Sequence, residues 1–177
     1  MYIIKKMIGL MFCGLLLSSM TPGENLAFNE ARQVGTVTIN QKKWISYTSK
    51  EGNFVVDFPT RPINLTQQNS QIVFSDGKDI TYFVFTTPLT SEKEDFEAIL
   101  QKALESSAEA ELINKKKGTF QGQDALGFLF KRNQLFVEGL YLESNNTLYQ
   151  VFAVYEQTPD NQEKFRRFIA SFQLLNP

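Results

Sequence analysis

The sequence predicts an α+β domain: an antiparallel sheet of about seven to eight strands flanked by two main helices and preceded by an export signal. Three observations predict it. Short apolar and aromatic runs follow one another across tight turns rich in Gly, Asn and Asp, which join neighbouring strands antiparallel. Two segments, after Ser91 and after Thr158, switch to helical spacing. The order is strands, helix, strands, helix, not an alternating βαβ series. The material for a core is present, since 42% of the 177 residues are hydrophobic, with 16 Phe and 6 Tyr among them. That suits one compact domain plus a short extra segment.

Lys5 and Lys6 precede an apolar run from Met7 to Leu17, and Ser18, Ser19 and Pro22-Gly23 follow it. A positive start, a short apolar stretch and a small-residue exit make a secretory signal. The run falls short of the roughly 20 apolar residues that span a bilayer. The expected organisation is a signal peptide over 1–22, a linker over 23–42 and a single domain over 43–177. Cleavage is expected near Ser19, an uncleaved anchor being the alternative. Leu10 lies three residues ahead of Cys13, as in a lipoprotein signal. Phe12, however, stands where that signal requires Gly, Ala or Ser, so lipidation at Cys13 is the lesser reading.

The polar linker ends in a short strand at Val37–Ile39. Trp44 to Tyr47 begins the next strand, Glu51-Gly52-Asn53 turns, and Phe54 to Phe58 alternates until Pro59 and Pro62 stop it. Gln71 to Phe74 and Ile80 to Thr86 pair through Ser75-Asp76-Gly77-Lys78. The second of these is aromatic on both faces and so is expected to be a central, covered strand. Ser91 and Glu94 have capping-box spacing, and Phe96, Ile99, Leu100, Ala103 and Leu104 form a helical stripe ending near Ala108. Leu112 to Phe120, Ala125 to Lys131, Leu135 to Leu142 and Leu148 to Tyr155 read as further strands. Their turns fall at Gly122-Gln123-Asp124, Arg132-Asn133 and Ser144-Asn145-Asn146. Thr158-Pro159 opens the last helix, with Thr as cap and Pro in the first turn. Its Phe165, Phe168, Ile169 and Phe172 form a ridge meant to lie on a sheet.

The composition excludes whole classes of chemistry. There is no histidine, and the single cysteine lies in the signal. This removes His-based triads, His relays, His-containing zinc sites and, once the signal is cut, thiol nucleophiles and disulfides. Lys and Arg number 18 against 19 Asp and Glu, so no basic excess points to nucleic acid. Glu92, Glu94, Asp95 and Glu97 complement a helix N-terminus and need no catalytic role. Ser75 to Asp79 lacks the further acids of a calcium loop. No catalytic, cofactor-binding or metal-ligating residue is expected. The abundant aromatics read as core, with an apolar ligand pocket as the competing reading.

The densest charge run is Lys115-Lys116-Lys117. A hairpin turning near Gly122 would place it across from Leu129 to Arg132, so that Lys131 and Arg132 extend one basic edge. Such an edge suits an acidic envelope protein or an anionic headgroup surface. The favoured reading is simpler, a charged edge that discourages strand pairing between molecules.

The stretch from Trp44 to Leu175 carries a further pattern: Trp44, Tyr47, Glu51, Gly52, Phe54, Val56, Phe58, Pro59 and Pro62 at its start, and Tyr149, Phe168, Ser171 and Phe172 near its end. It resembles a group of exported bacterial proteins of uncertain function with the PsbP-like fold (the PsbP and DcrB type). The resemblance implies an antiparallel sheet flanked by helices, and a binding or accessory module in place of an enzyme. No functional motif of PsbP itself is matched. The expected function is therefore a non-enzymatic, exported envelope protein, periplasmic or secreted, with membrane contact only through the signal or a lipidated Cys13. An apolar-ligand or lipid carrier is the first alternative, and a hydrolase built on carboxylates or a Ser/Lys pair the second.

Overall fold

In the computed structural model, which describes residues 36–39, 44–67, 69–89 and 95–175, every strand pairing is antiparallel. The expected signal over 1–22, including Cys13, lies outside the described residues, as does the Ser91–Glu94 pair. The strands are β1 (Thr36–Ile39), β2 (Ile45–Ser49), β3 (Phe54–Phe58), β4 (Ile63–Gln67), β5 (Ser70–Asp76), β6 (Ile80–Pro88), β7 (Ala110–Phe120), β8 (Gln123–Arg132), β9 (Leu135–Ser144), β10 (Thr147–Glu156) and β11 (Gln173–Leu174). Helix α1 (Phe96–Glu105) separates β6 from β7, and helix α2 (Pro159–Ser171) follows β10. Seven strands form one sheet in the order β4-β5-β6-β10-β9-β8-β7, and four form a second in the order β1-β2-β3-β11. The expected layout of one large sheet and two helices holds. The opening strands β2 and β3 leave that sheet and build a separate one over its face.

Local chemistry explains the meander. Asn133, Asn145 and Asn146 all have positive φ, at 56°, 49° and 58°. Two such residues in a row give the hairpin turn whose twist matches the strands. At the β7–β8 turn Gln121 and Gly122 take that place, with φ of 51° and 81°. The close approach at Gly139 is of a different kind. A Cβ there would lie 2.3 Å from the Phe152 Cβ and 2.4 Å from the Val151 carbonyl. Only glycine lets β9 and β10 meet under the Phe152 ring, which stacks on Phe83 and Phe85 with centroids 5.0 and 5.5 Å away.

Each face of the large sheet has its own core. On one side Tyr82, Val84, Leu142, Tyr149, Val151 and Tyr155 meet Trp44, Tyr47, Phe54 and Phe58 of the small sheet and Phe165, Phe168 and Phe172 of α2. The predicted ridge faces the sheet: Phe168 is fully buried and Phe172 nearly so, with Ile169 partly buried at its flank. On the other side α1 contributes Ile99 and Leu100 against Leu126, Phe128, Phe130, Val137 and Tyr141.

The two helices are seated differently. Thr158 caps α2, its Oγ1 accepting from the Asn161 N–H at 3.2 Å. The buried Asn161 side chain donates to the carbonyls of Glu156 (2.9 Å) and Asp79 (3.4 Å). At the far end Ser171 Oγ accepts from the Asp57 N–H at 2.9 Å. Beyond it, Gln121 bridges the chain, donating to the Phe172 carbonyl and accepting from the Leu174 N–H. Helix α1 is capped by Asp95, whose side chain accepts from the Glu97 N–H at 2.9 Å, and it ends at Glu105, three residues before the expected Ala108.

Candidate interaction edge at β7

Strand β7 is an edge of the seven-stranded sheet, paired among the described residues with β8 alone. Its run of charge, Lys115-Lys116-Lys117, gives it the polar character that an edge strand tolerates. Glu111 to Thr119 are all exposed, Leu112 and Ile113 included. A register shift between Leu112 and Asn114 marks a bulge at Ile113. From Asn114 opposite Leu129 to Phe120 opposite Gln123 the ladder is then unbroken.

The register corrects the expected placement of the lysines. Lys115, Lys116 and Lys117 lie across from Phe128, Gly127 and Leu126, whereas Lys131 and Arg132 lie across from Glu111 and Ala110. The turn is centred between Gln121 and Gly122, nearer the start of the hairpin than Gly122-Gln123-Asp124. Each residue by which a turn moves shifts its pairing by two. The five basic residues therefore do not form one continuous edge. Strand alternation puts Lys115, Lys117 and Arg132 on the α1 face, and Lys116 and Lys131 on the α2 face. Lys116 and Lys131 stand roughly 13 Å apart along the strands, at about 3.3 Å per residue.

The two faces differ in electrostatics. On the α1 face Glu97 pairs with both Lys115 and Lys117, the second at 2.5 Å. These hydrogen bonds and charges hold the Glu97 carboxyl well below the usual range, at about 2, and raise Lys117 in turn. A cleft of about 330 Å³ opens beside this clamp, lined by Asp95, Phe96, Glu97, Lys117, Asp124 and Leu126 among others.

On the α2 face an open groove of about 250 Å³ runs between β7 and α2. Asn114 and Lys116 form its rim, Gly127, Leu129, Glu138 and Leu140 its floor, and Phe165 and Ile169 its far wall. A Cβ on Gly127 would meet nothing closer than 3.7 Å, so its absence deepens the floor there. Tyr155 donates to Glu138, and burial, reinforced by this bond, raises the tyrosine pKa. No ion pair of Lys116 occurs among the described residues, while Lys131 sits 6.0 Å from the Phe136 ring centroid. Neither cleft is an enclosed apolar cavity of the kind a lipid carrier needs.

Elsewhere the strongly shifted groups are core tyrosines. Burial pushes Tyr47 up to about 12 and raises Tyr82, Tyr141 and Tyr149 as well, so all four stay protonated. No cluster of three or more Asp, Glu, His or Cys side chains able to hold a metal occurs among the described residues. No described helix is long and apolar enough to cross a membrane. Of residues 75–79, set aside as a calcium loop, Ser75 and Asp76 end β5 and 77–79 form the β5–β6 turn, beside which Thr81 Oγ1 donates to Asp76 at 2.9 Å.

No family model matches the sequence, and no curated protein sequence does either. Among solved structures, the solution structure of cyanobacterial PsbP (CyanoP) from Synechocystis sp. PCC 6803 is similar at a TM-score of 0.53 and 14% identity, covering 82% of this chain and 98% of that one. A Pseudomonas aeruginosa protein of unknown function, PA94, aligns at 0.41 and 12% identity, over 70% of this chain and 88% of that one. The chain thus has the PsbP-like α+β fold.

Proposed function

We propose that this protein is a non-enzymatic, exported module of the cell envelope, periplasmic or secreted, that binds another envelope component through the β7 edge. The observation that carries this reading is the edge itself: a strand of eleven residues, unpaired along its outer side among the described residues, with a cleft on each face. An interior strand of this length would read as scaffold, whereas an edge flanked by clefts offers backbone and side-chain contacts together. Export rests on Lys5, Lys6 and the apolar run behind them. The non-enzymatic reading rests on the sequence, which lacks histidine altogether and confines its cysteine to that signal.

The test joins location to contact. Cell fractionation with mass determination of the recovered chain should place a shortened protein in the envelope or medium. Affinity capture from the same fractions should then compare wild type with a variant carrying Lys115→Glu, Lys116→Glu and Lys117→Glu. Loss of the captured species in the variant supports the reading. An unshortened cytoplasmic chain, or capture unaffected by the three changes, overturns it.

A further inference from the structure

The geometry points to a specific mode of contact, resting on the binding reading above: β7 accepts an extended acidic segment of another protein as an eighth strand of the large sheet. The backbone carries the first part of the argument. From Asn114 to Phe120 the strand keeps an unbroken ladder with β8, so its outer side presents a regular row of N–H and C=O groups. The bulge at Ile113 sets where this row begins. Strand addition takes its affinity from such main-chain groups and its specificity from sites that receive alternate side chains. Those sites are present on both faces, as the groove beside Lys116 and the cleft beside Lys117. On the groove face, Gly118 leaves the space next to β7 open, with nothing within 4 Å of where a Cβ would stand. A side chain of the incoming strand can therefore turn inward there toward Ala125, which lies across from Gly118.

Charge selects the occupant. A second copy of this chain pairing antiparallel about Lys116 would set Lys116 against its counterpart and Lys115 against Lys117. Like charges directly opposite destabilise a pair. An anionic bilayer is a poor match as well. Recognition of such surfaces uses clusters of about 4–8 cations, whereas Glu97 holds Lys115 and Lys117 and the remaining basic residues are divided between two faces. What fits is a strand with a carboxylate facing Lys116 and apolar or small side chains at the alternate positions beside it. The same lysines that keep copies apart then admit a partner of opposite sign.

The experiment uses the full mature domain and three nine-residue synthetic probes: one alternating Val and Glu, one alternating Val and Lys, and the Val/Glu peptide with alternate backbone amides N-methylated. Amide hydrogen exchange reads the outcome residue by residue. The Val/Glu peptide is expected to slow exchange at least tenfold within residues 114–120. The Val/Lys and N-methylated peptides should leave those amides unchanged. Lys116→Glu should weaken Val/Glu binding at least tenfold without moving the thermal midpoint.

Equal binding of the N-methylated peptide would overturn strand addition and leave a side-chain contact, so the binding reading would survive. Protection located away from β7, or no protection by the Val/Glu peptide, also overturns the proposal. The same holds if phosphatidylglycerol vesicles protect β7 where the peptide does not, or if self-association protects it as protein concentration rises.

Discussion

The two helices cover opposite faces of one sheet and are held there by different forces. Helix α2 is fastened through its interior: Phe165, Phe168 and Phe172 enter the core, and the side chains of Asn161 and Ser171 hydrogen-bond to backbone of β10, β3 and the β5–β6 turn. Helix α1 buries Ile99 and Leu100 against the sheet and is tied to β7 by an exposed Glu97 clamp. Buried aromatic area and satisfied interior polar groups contribute far more than exposed ion pairs. The α2 side is thus the more firmly held part of the molecule, and the α1 and β7 side the less firmly held.

Truncation of the buried side chains tests that contrast most strongly. Phe168→Ala should destabilise by about 3–5 kcal/mol, against about 2–3 kcal/mol for Leu100→Ala, at the low end of the range for such changes. Urea unfolding of both variants measures this, and equal losses would break the distinction. Asn161→Ala comes next. It leaves two backbone carbonyls without their buried donor and should cost about 1–3 kcal/mol by the same assay.

The smallest effect belongs to the clamp. Glu97 has its folded-state pKa lowered from 4.5 to about 2. A carboxyl shifted this way stabilises the fold above its unfolded pKa, and that contribution is lost as pH falls through the folded value. Glu97→Gln should therefore differ slightly from wild type at pH 6, and the gap should close between about pH 4.5 and 2. A gap that widens on acidification would show that the clamp works in another way.

How legible the molecule was in its sequence depends on what each element needed. The hairpins after α1 could be read because asparagine and glycine mark their turns, and α2 because Thr158-Pro159 and the Phe spacing agree. Strand β4 was hidden. Its buried residue is Asn64 while Ile63 is half exposed, which inverts the expected alternation, and it follows two prolines that suggest a loop. The short β11 carries too few residues for any period. Alternation also says which side chains share a face but not which sheet a strand joins, so the separate small sheet could not be foreseen from β2 and β3. The candidate edge was legible as a lysine run. Its register was not: that Lys131 and Arg132 lie across from Glu111 and Ala110 follows from the bulge at Ile113 and the position of the turn, which leave no mark in composition.

The small sheet also sets an order of events. Strand β3 is bordered on one side by β11, where Gln173 and Leu174 pair with Val55 and Phe54, and Gln121 and Ser171 reinforce the join. A polypeptide delivered amino end first holds β3 exposed along that side until Gln173 and Leu174 arrive, more than a hundred residues later. The domain therefore latches late, its small sheet completed only when the last described strand of the chain is in place.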